Sequence, residues 1–244
     1  MSRVRVPLSG LRAGLRELEV DEARYVRSVL RLREGDTFIV FDPEQVVQAE
    51  ARVTSTPRGG VRCEVGEVTR AGRVPDVPAW LLLGVCKGDR FEWALREATA
   101  LGVTDIVPTL CARSASSGTR ADASRMGRWR KILVQGARQS GRGDVPTLHE
   151  VRGLREAVAS VPGSLVRVCL WEGAAVSAGP WLRAGASGVA LLVGPEGGIE
   201  VDEAGVAEAS GFALGSLGPM ILRTETAVIA ALGAWQMGRE RPSS

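Results

Sequence analysis

Apolar and polar positions along this chain follow two patterns, and the change comes near residue 75. Before it, short stretches alternate. Val4-Arg5-Val6, Leu18-Glu19-Val20, Thr37 to Phe41, Gln45 to Thr54 and Val61 to Val65 read as strands, with turns at Gly35-Asp36 and Gly59-Gly60. Asp21 is placed to cap a helix through Leu30, because Tyr25, Val26, Val29 and Leu30 fall at helical spacing. Four or five strands with one helix predict a compact barrel-like module over residues 1–72. Residues 71–78 hold two prolines and a glycine and predict a linker.

After the linker, apolar runs alternate with amphipathic segments. Trp80 to Cys86, Asp105 to Pro108, Leu165 to Leu170, Val189 to Val193, and Phe212 to Leu214 with Leu217 read as buried strands. Helices are predicted over Arg90 to Leu101 (capped by Asp89, ended by Gly102), Met126 to Gln139, Leu154 to Val161, Val201 to Ala209 and Thr226 to Met237. Trp181 to Ala184 reads as a short helical turn, and Ala115 to Ser124 as a polar loop. Strands alternating with helices predict a parallel α/β sheet, here over residues 73–244.

Composition narrows the class. The apolar share of 45% and charged share of 24% are those of a globular protein with a real core. No apolar run is long enough to span a bilayer, and the N-terminus lacks the apolar core of a signal peptide, so a cytoplasmic protein is expected. Cys63, Cys86, Cys111 and Cys169 lie too far apart for a zinc site or a CxxC pair and read as small buried hydrophobes. His149 is the only histidine, which excludes a multi-histidine metal centre; in the polar stretch Thr147 to Glu150 it reads as a surface residue. No metal is expected. The net charge of +3 is too small to imply nucleic acid, but its distribution is uneven. Arg113, Arg120, Arg125, Arg128, Arg130, Lys131, Arg138 and Arg142 share one stretch with Trp129 and a single acid, Asp122. Arginine beside an aromatic ring suits phosphate contact and base stacking.

Two loops carry the candidate chemistry. Gly194-Pro195-Glu196-Gly197-Gly198 comes after the run Val189 to Val193, and Leu217 to Thr226 precedes the apolar Ala227 to Leu232. Each leaves a strand and soon enters a helix, the edge at which open α/β sheets bind ligands. The first loop has neither dinucleotide-binding glycine spacing nor a P-loop lysine. In the second, Leu217, Met220, Ile221 and Leu222 are apolar where a connection should be polar, beside Arg223, Thr224, Glu225 and Thr226. An apolar slot with free backbone groups suits a purine ring.

With Val29 to Leu32, Leu101-Gly102-Val103, Ala112-Arg113-Ser114 and Gln139 to Arg142 in support, Leu192 to Gly198 and Leu217 to Ala227 make the chain resemble the RsmE family of the SPOUT superfamily. That family methylates N3 of a uridine in 16S ribosomal RNA of the small ribosomal subunit, using S-adenosylmethionine. The resemblance implies an N-terminal PUA-like β-barrel that binds RNA, a C-terminal SPOUT α/β domain with a deep trefoil knot, and a homodimer. It places Leu170, Gly194, Glu196, Gly198, Leu217, Gly218, Met220 and Leu222 at the cofactor. If the target is N3 of a uridine, its lost proton leaves charge on the uracil carbonyl oxygens that Arg223 is expected to stabilise, with Glu225 or Glu196 as base or as orienter of Arg223. Arg113, Gln139 and Arg142 then face RNA or structure the dimer, and Arg120, Arg128 and Arg130 add salt-dependent RNA affinity. Met220 stands where the family often has arginine, Arg138 where an acid is usual, and Ala100 where glutamate is common. Two alternatives stay open: an RNA-binding protein of this fold without activity, and a methyltransferase of this fold acting on another base or on ribose.

Overall fold

The computed structural model describes residues 4–57, 60–114 and 123–239. They fall into two compact units, Met1–Val74 with Val134–Val145, and Pro75–Leu133 with Pro146–Ser244.

The first unit contains β1 (Arg5–Pro7), β2 (Gly14–Glu17), α1 (Val20–Arg24), β3 (Thr37–Asp42), β4 (Val47–Ser55), β5 (Arg62–Val65) and β6 (Thr69–Arg70). Its sheet runs β1-β3-β4-β5-β2, and β6 pairs with β4. Among the described residues no ladder joins β1 to β2, so the strand path is open rather than a closed barrel. Period-two alternation builds the core: Ala49, Ala51 and Val53 of β4 point inward while Glu50 and Arg52 face water. Phe38, Val40, Cys63 and Val65 complete that face.

Two local expectations fail here. Leu18 to Val20 is not a strand; the preceding β2 is, although its Leu15 is 75% exposed and gives no apolar signal. Asp21 is not the cap either. The N-cap is Glu19, and after one α-turn the backbone widens into a π-helical turn over Tyr25–Val29.

The second unit holds β7 (Ala79–Gly84), α2 (Asp89–Ala100), β8 (Asp105–Leu110), the first part of α3 (Ala123–Ser140), β9 (Thr147–Leu148), β10 (Arg152–Gly153), α4 (Leu154–Ala159), β11 (Val166–Leu170), α5 (Gly179–Ala184), β12 (Val189–Val193), α6 (Val201–Ala209), β13 (Ala213–Gly215) and α7 (Thr224–Gly238). The order is β10-β8-β7-β12-β11-β13, with β9 beside β8 and every pair parallel. Every residue of β12 is buried, as expected for a strand covered on both faces. On one face Phe212, Ala204, Ala207, Leu154 and Val158 pack against Leu82, Leu192 and Cys169. Elsewhere α7 packs on α2 and α5, and the indole of the buried Trp235 donates to Gly185 O at 2.8 Å. No described helix is long and apolar enough to cross a membrane.

Register aligns the strand ends. Leu83 pairs with Val193, Val193 with Leu170, and Leu170 with Gly215. The carboxyl ends of β7, β12, β11 and β13 therefore lie in one row, and four connections leave from one edge.

All four cysteines are free and buried. Burial pushes the Cys63 thiol up to about 11 and those of Cys86 and Cys169 up to about 12, and raises Cys111 as well. An unfolded thiol ionises near pH 8.5. Above that pH the unfolded chain loses protons that the native chain keeps, so this contribution to stability is complete below about pH 8.5 and is lost as pH rises toward 11–12. The thermal midpoint should fall steadily between pH 8.5 and 10.5, and Cys169→Ala should flatten that slope. A flat midpoint in the native protein would contradict the burial.

Candidate active site

The row of strand ends opens into a cavity of about 510 Å³, open mouth included. Its wall is Leu170, Trp171 and Glu172 at the end of β11, then Gly215 to Leu222 at the end of β13, with Ala227 from α7. Met220 and Ile221 are 76% and 85% exposed. Apolar side chains held in water beside a concave wall mark a place for a ligand.

The loops are braced against each other. Ser216 bridges Ser177 in parallel: Ala178 N donates to Ser216 O at 2.8 Å and Ser216 N to Val176 O at 2.9 Å. At Gly215 only hydrogen fits, since a Cβ would lie 2.7 Å from Ala178 Cα. Trp171 N donates to Gly215 O and its indole to Ile199 O, both at 3.1 Å, tying the β11 end to its neighbours. Gly198 adopts φ +78°, a conformation that favours glycine, and a Cβ there would meet Glu172 Oε1 at 2.8 Å. The buried hydroxyl of Thr224 donates to Gly194 O at 3.0 Å and links the second loop to the first.

Of the residues expected at a cofactor, Leu170, Leu217, Gly218, Met220 and Leu222 line this cavity. Gly194, Glu196 and Gly198 do not. Gly194 and Gly198 belong to the loop behind the wall; a Cβ on Gly194 would meet Ile199 at 2.8 Å rather than open space. Glu196 pairs with Arg90 at 3.6 Å in a separate cleft. Arg223 directly succeeds the lining residue Leu222, is exposed, and has no ion pair among the described residues. Glu225, two residues on, is 2% exposed, and its Oε2 has no hydrogen-bond partner among the described residues.

The arginines expected at RNA divide. Arg142 has a side chain that is 5% exposed and forks onto Asp144 at 2.6 and 2.8 Å. Arg113 donates to Gly197 O at 2.7 Å and to Glu200 at 3.3 Å, so it braces the first loop. Arg128 is held by Glu92 at 2.6 Å. Arg130 and Gln139 are exposed on α3. Arg120 lies outside the described residues. Arg138, where the family favours an acid, stacks its guanidinium 3.5 Å from the Tyr25 ring centroid. His149 is not a free surface residue: Nε2 is 2.8 Å from Asp105 Oδ1 and the ring lies 5.0 Å from Trp80. Among the described residues no His, Cys, Asp and Glu cluster could hold a metal.

Sequence reasoning passed over Gly84, which sits inside the apolar run Trp80 to Cys86, and Gly215, whose close contact with Ala178 leaves no local mark.

Known proteins resemble this chain over most of its length. The profile of a family described as RNA methyltransferase domain matches residues 74–236. Ribosomal RNA small subunit methyltransferase E of Bacillus subtilis is 30% identical, over 88% of this chain and 86% of that protein. The protein of the same name from Mycobacterium bovis is 33% identical, over 88% and 83%. The crystal structure of a ribosomal RNA small subunit methyltransferase E from Neisseria gonorrhoeae, bound to S-adenosyl methionine, superposes with a TM-score of 0.87 at 29% identity, over 97% of this chain and 98% of that one.

Proposed function

The chain belongs to the ribosomal RNA small subunit methyltransferase E family, and from that premise we propose that it methylates N3 of a uridine in 16S ribosomal RNA with S-adenosylmethionine. The observation that carries this reading is the cavity at the carboxyl ends of β11 and β13, with Arg223 immediately beyond its lining.

The residues fit the cofactor. Leu170, Leu217, Gly218, Met220 and Leu222 would hold it through apolar surface and main-chain groups at the mouth where β11 and β13 end. Bound there, the cofactor supplies an electrophilic sulfonium methyl group.

The chain's own residues handle the uracil. Its N3 attacks only after losing a proton, and the resulting charge spreads onto the ring carbonyl oxygens. Arg223, exposed and unpaired among the described residues, offers a cation to that charge at no cost in broken ion pairs. Glu225 rather than Glu196 is the carboxylate assigned to this turn. Glu196 is engaged with Arg90 in the other cleft, whereas Glu225 shares the turn with Arg223 and keeps a free oxygen to orient that turn or accept the proton. Holding nucleophile and methyl group in line supplies much of the rest. None of the four buried cysteines offers the thiolate that a carbon-5 methylase needs.

Residues 1–72 serve as a PUA-like RNA-binding domain and residues 73–244 as the knotted SPOUT domain, which also forms a homodimer. The exposed Arg130 and Gln139 add RNA contacts, and the enzyme works in the cytoplasm, where its RNA is.

Mass spectrometry of small-subunit rRNA nucleosides is the test. A strain lacking the gene should lose one 3-methyluridine, restored by the native gene. An unchanged nucleoside profile overturns the reading, and loss of a different methylated nucleoside reassigns the target.

A further inference from the structure

We propose that Lys87 binds a backbone phosphate of the RNA strand that carries the target uridine, in a cleft separated from the cofactor cavity by the Gly194–Gly198 loop. The proposal rests on the reading of the chain as an RNA methyltransferase and names a contact that reading leaves open.

Two clefts meet at Lys87. One runs past Arg90 and Arg113 to Glu196 and Gly197; the other runs past Glu92, Arg125 and Arg128 to Trp129. The loop between them and the cavity is a single layer. A Cβ on Gly198 would meet Glu172, which lines the cavity, and a Cβ on Gly197 would meet Arg113, which lines the cleft. RNA in the cleft is therefore one loop's thickness from the reactive edge.

Five cations and three carboxylates line the two clefts. The arginines are engaged: Arg90 with Glu196 at 3.6 Å, Arg113 with Glu200 at 3.3 Å, Arg128 with Glu92 at 2.6 Å. Arg125 lies 5.9 Å from the Trp129 ring and has further contacts. Lys87 is exposed and, among the described lining residues, is the cation without a protein partner. A paired arginine presents little net charge to a ligand; the lysine presents a full one.

Its position is built rather than incidental. Cys86 is buried and its thiol donates to Gly84 O at 3.2 Å. On the other side Gly88, at φ +64°, turns the chain into α2. The Lys87 backbone is thus held from both sides while its side chain stays in water. An ammonium on a flexible stem is a strongly hydrated point charge suited to a phosphate rather than to forked recognition of a base edge. The choice of residue is also unusual, because Lys87 and Lys131 are the only lysines in an arginine-rich chain.

The test compares Lys87→Gln and Lys87→Arg with the native protein, all full length. The substrate is small ribosomal subunits from a strain lacking the enzyme, assayed at several KCl concentrations. Lys87→Gln should raise KM for the subunits by about fivefold, leave kcat within about twofold, and lower the log–log salt slope of binding by about 0.7. Lys87→Arg should recover the slope. Affinity for S-adenosylhomocysteine, measured by calorimetry, should stay within about twofold in both variants, because the cavity does not contain the residue. An unchanged slope in Lys87→Gln, or an arginine variant that behaves like the glutamine one, overturns the proposal. If the native protein leaves the subunits unmethylated, the functional reading falls with it; if methylation is intact and only the slope is unmoved, Lys87 alone is rejected.

Discussion

Arg223→Ala is expected to cut turnover on small-subunit RNA by about two to three orders of magnitude while leaving affinity for S-adenosylhomocysteine within about twofold. The two halves of that expectation have different physical sources. The cavity is walled by residues from Leu170 to Glu172 and from Gly215 to Leu222, so deleting a side chain beyond its end removes no cofactor contact. Arg223 is the N-cap of α7 but makes no side-chain capping bond, and it is exposed, so its loss should move stability by no more than about 0.5 kcal/mol. The transition state loses a cation where uracil charge develops. Arg223→Lys should recover only part of the rate, because an ammonium keeps the charge without the planar fork. Single-turnover assays at saturating RNA with calorimetry on the same preparations check both halves. Full turnover in Arg223→Ala would remove the residue from the chemistry, and a parallel collapse of cofactor affinity would make it structural.

Much of this site was legible because its parts are local. Val189 to Val193 and Val201 to Ala209 stand at the residues expected, since a wholly apolar run and a capped helix are written in adjacent residues. The apolar Met220 and Ile221 in a connection could be read as a slot and do line a cavity. What the sequence did not show depends on contacts that form only in the folded chain. His149 reads as surface until β9 pairs with β8 and brings Asp105 to it. Arg142 reads as a candidate RNA contact because it closes the basic stretch around Trp129, yet its side chain is buried on Asp144, two residues away. β2 carries an exposed leucine and no alternation, so its antiparallel pairing to β5 is the only thing that marks it as a strand. Glu196 shares a five-residue loop with three glycines, but its side chain turns to Arg90.

Gly84 is the clearest case of a site residue that only tertiary pairing reveals, and it carries the largest expected effect on the fold. Leu83 pairs with Val193, so Gly84 stands level with Gly194 where both strands end. A Cβ on Gly84 would lie 2.3 Å from Pro195 N, 2.5 Å from Pro195 Cδ and 2.7 Å from Gly194 C. Main-chain atoms cannot rotate away as a side chain could, so Gly84→Ala must displace the Gly194–Gly198 loop. That displacement pulls Gly194 O from the buried Thr224 hydroxyl, and with it the link to the loop that walls the cavity. Overpacking costs about 1–3 kcal/mol and the stranded hydroxyl about 1–3 kcal/mol more. The thermal midpoint should drop by about 5–15 °C, and affinity for S-adenosylhomocysteine by at least about tenfold. Gly233→Ala is the control: that position is inside α7 with nothing within 4 Å of an added Cβ. The added methyl group there should stabilise the helix by about 0.5–1 kcal/mol and leave ligand affinity alone. A Gly84→Ala protein that melts and binds like the native one would show that the two loops do not depend on this contact, and the route from β7 through Pro195 and Thr224 to the cavity wall would have to be abandoned.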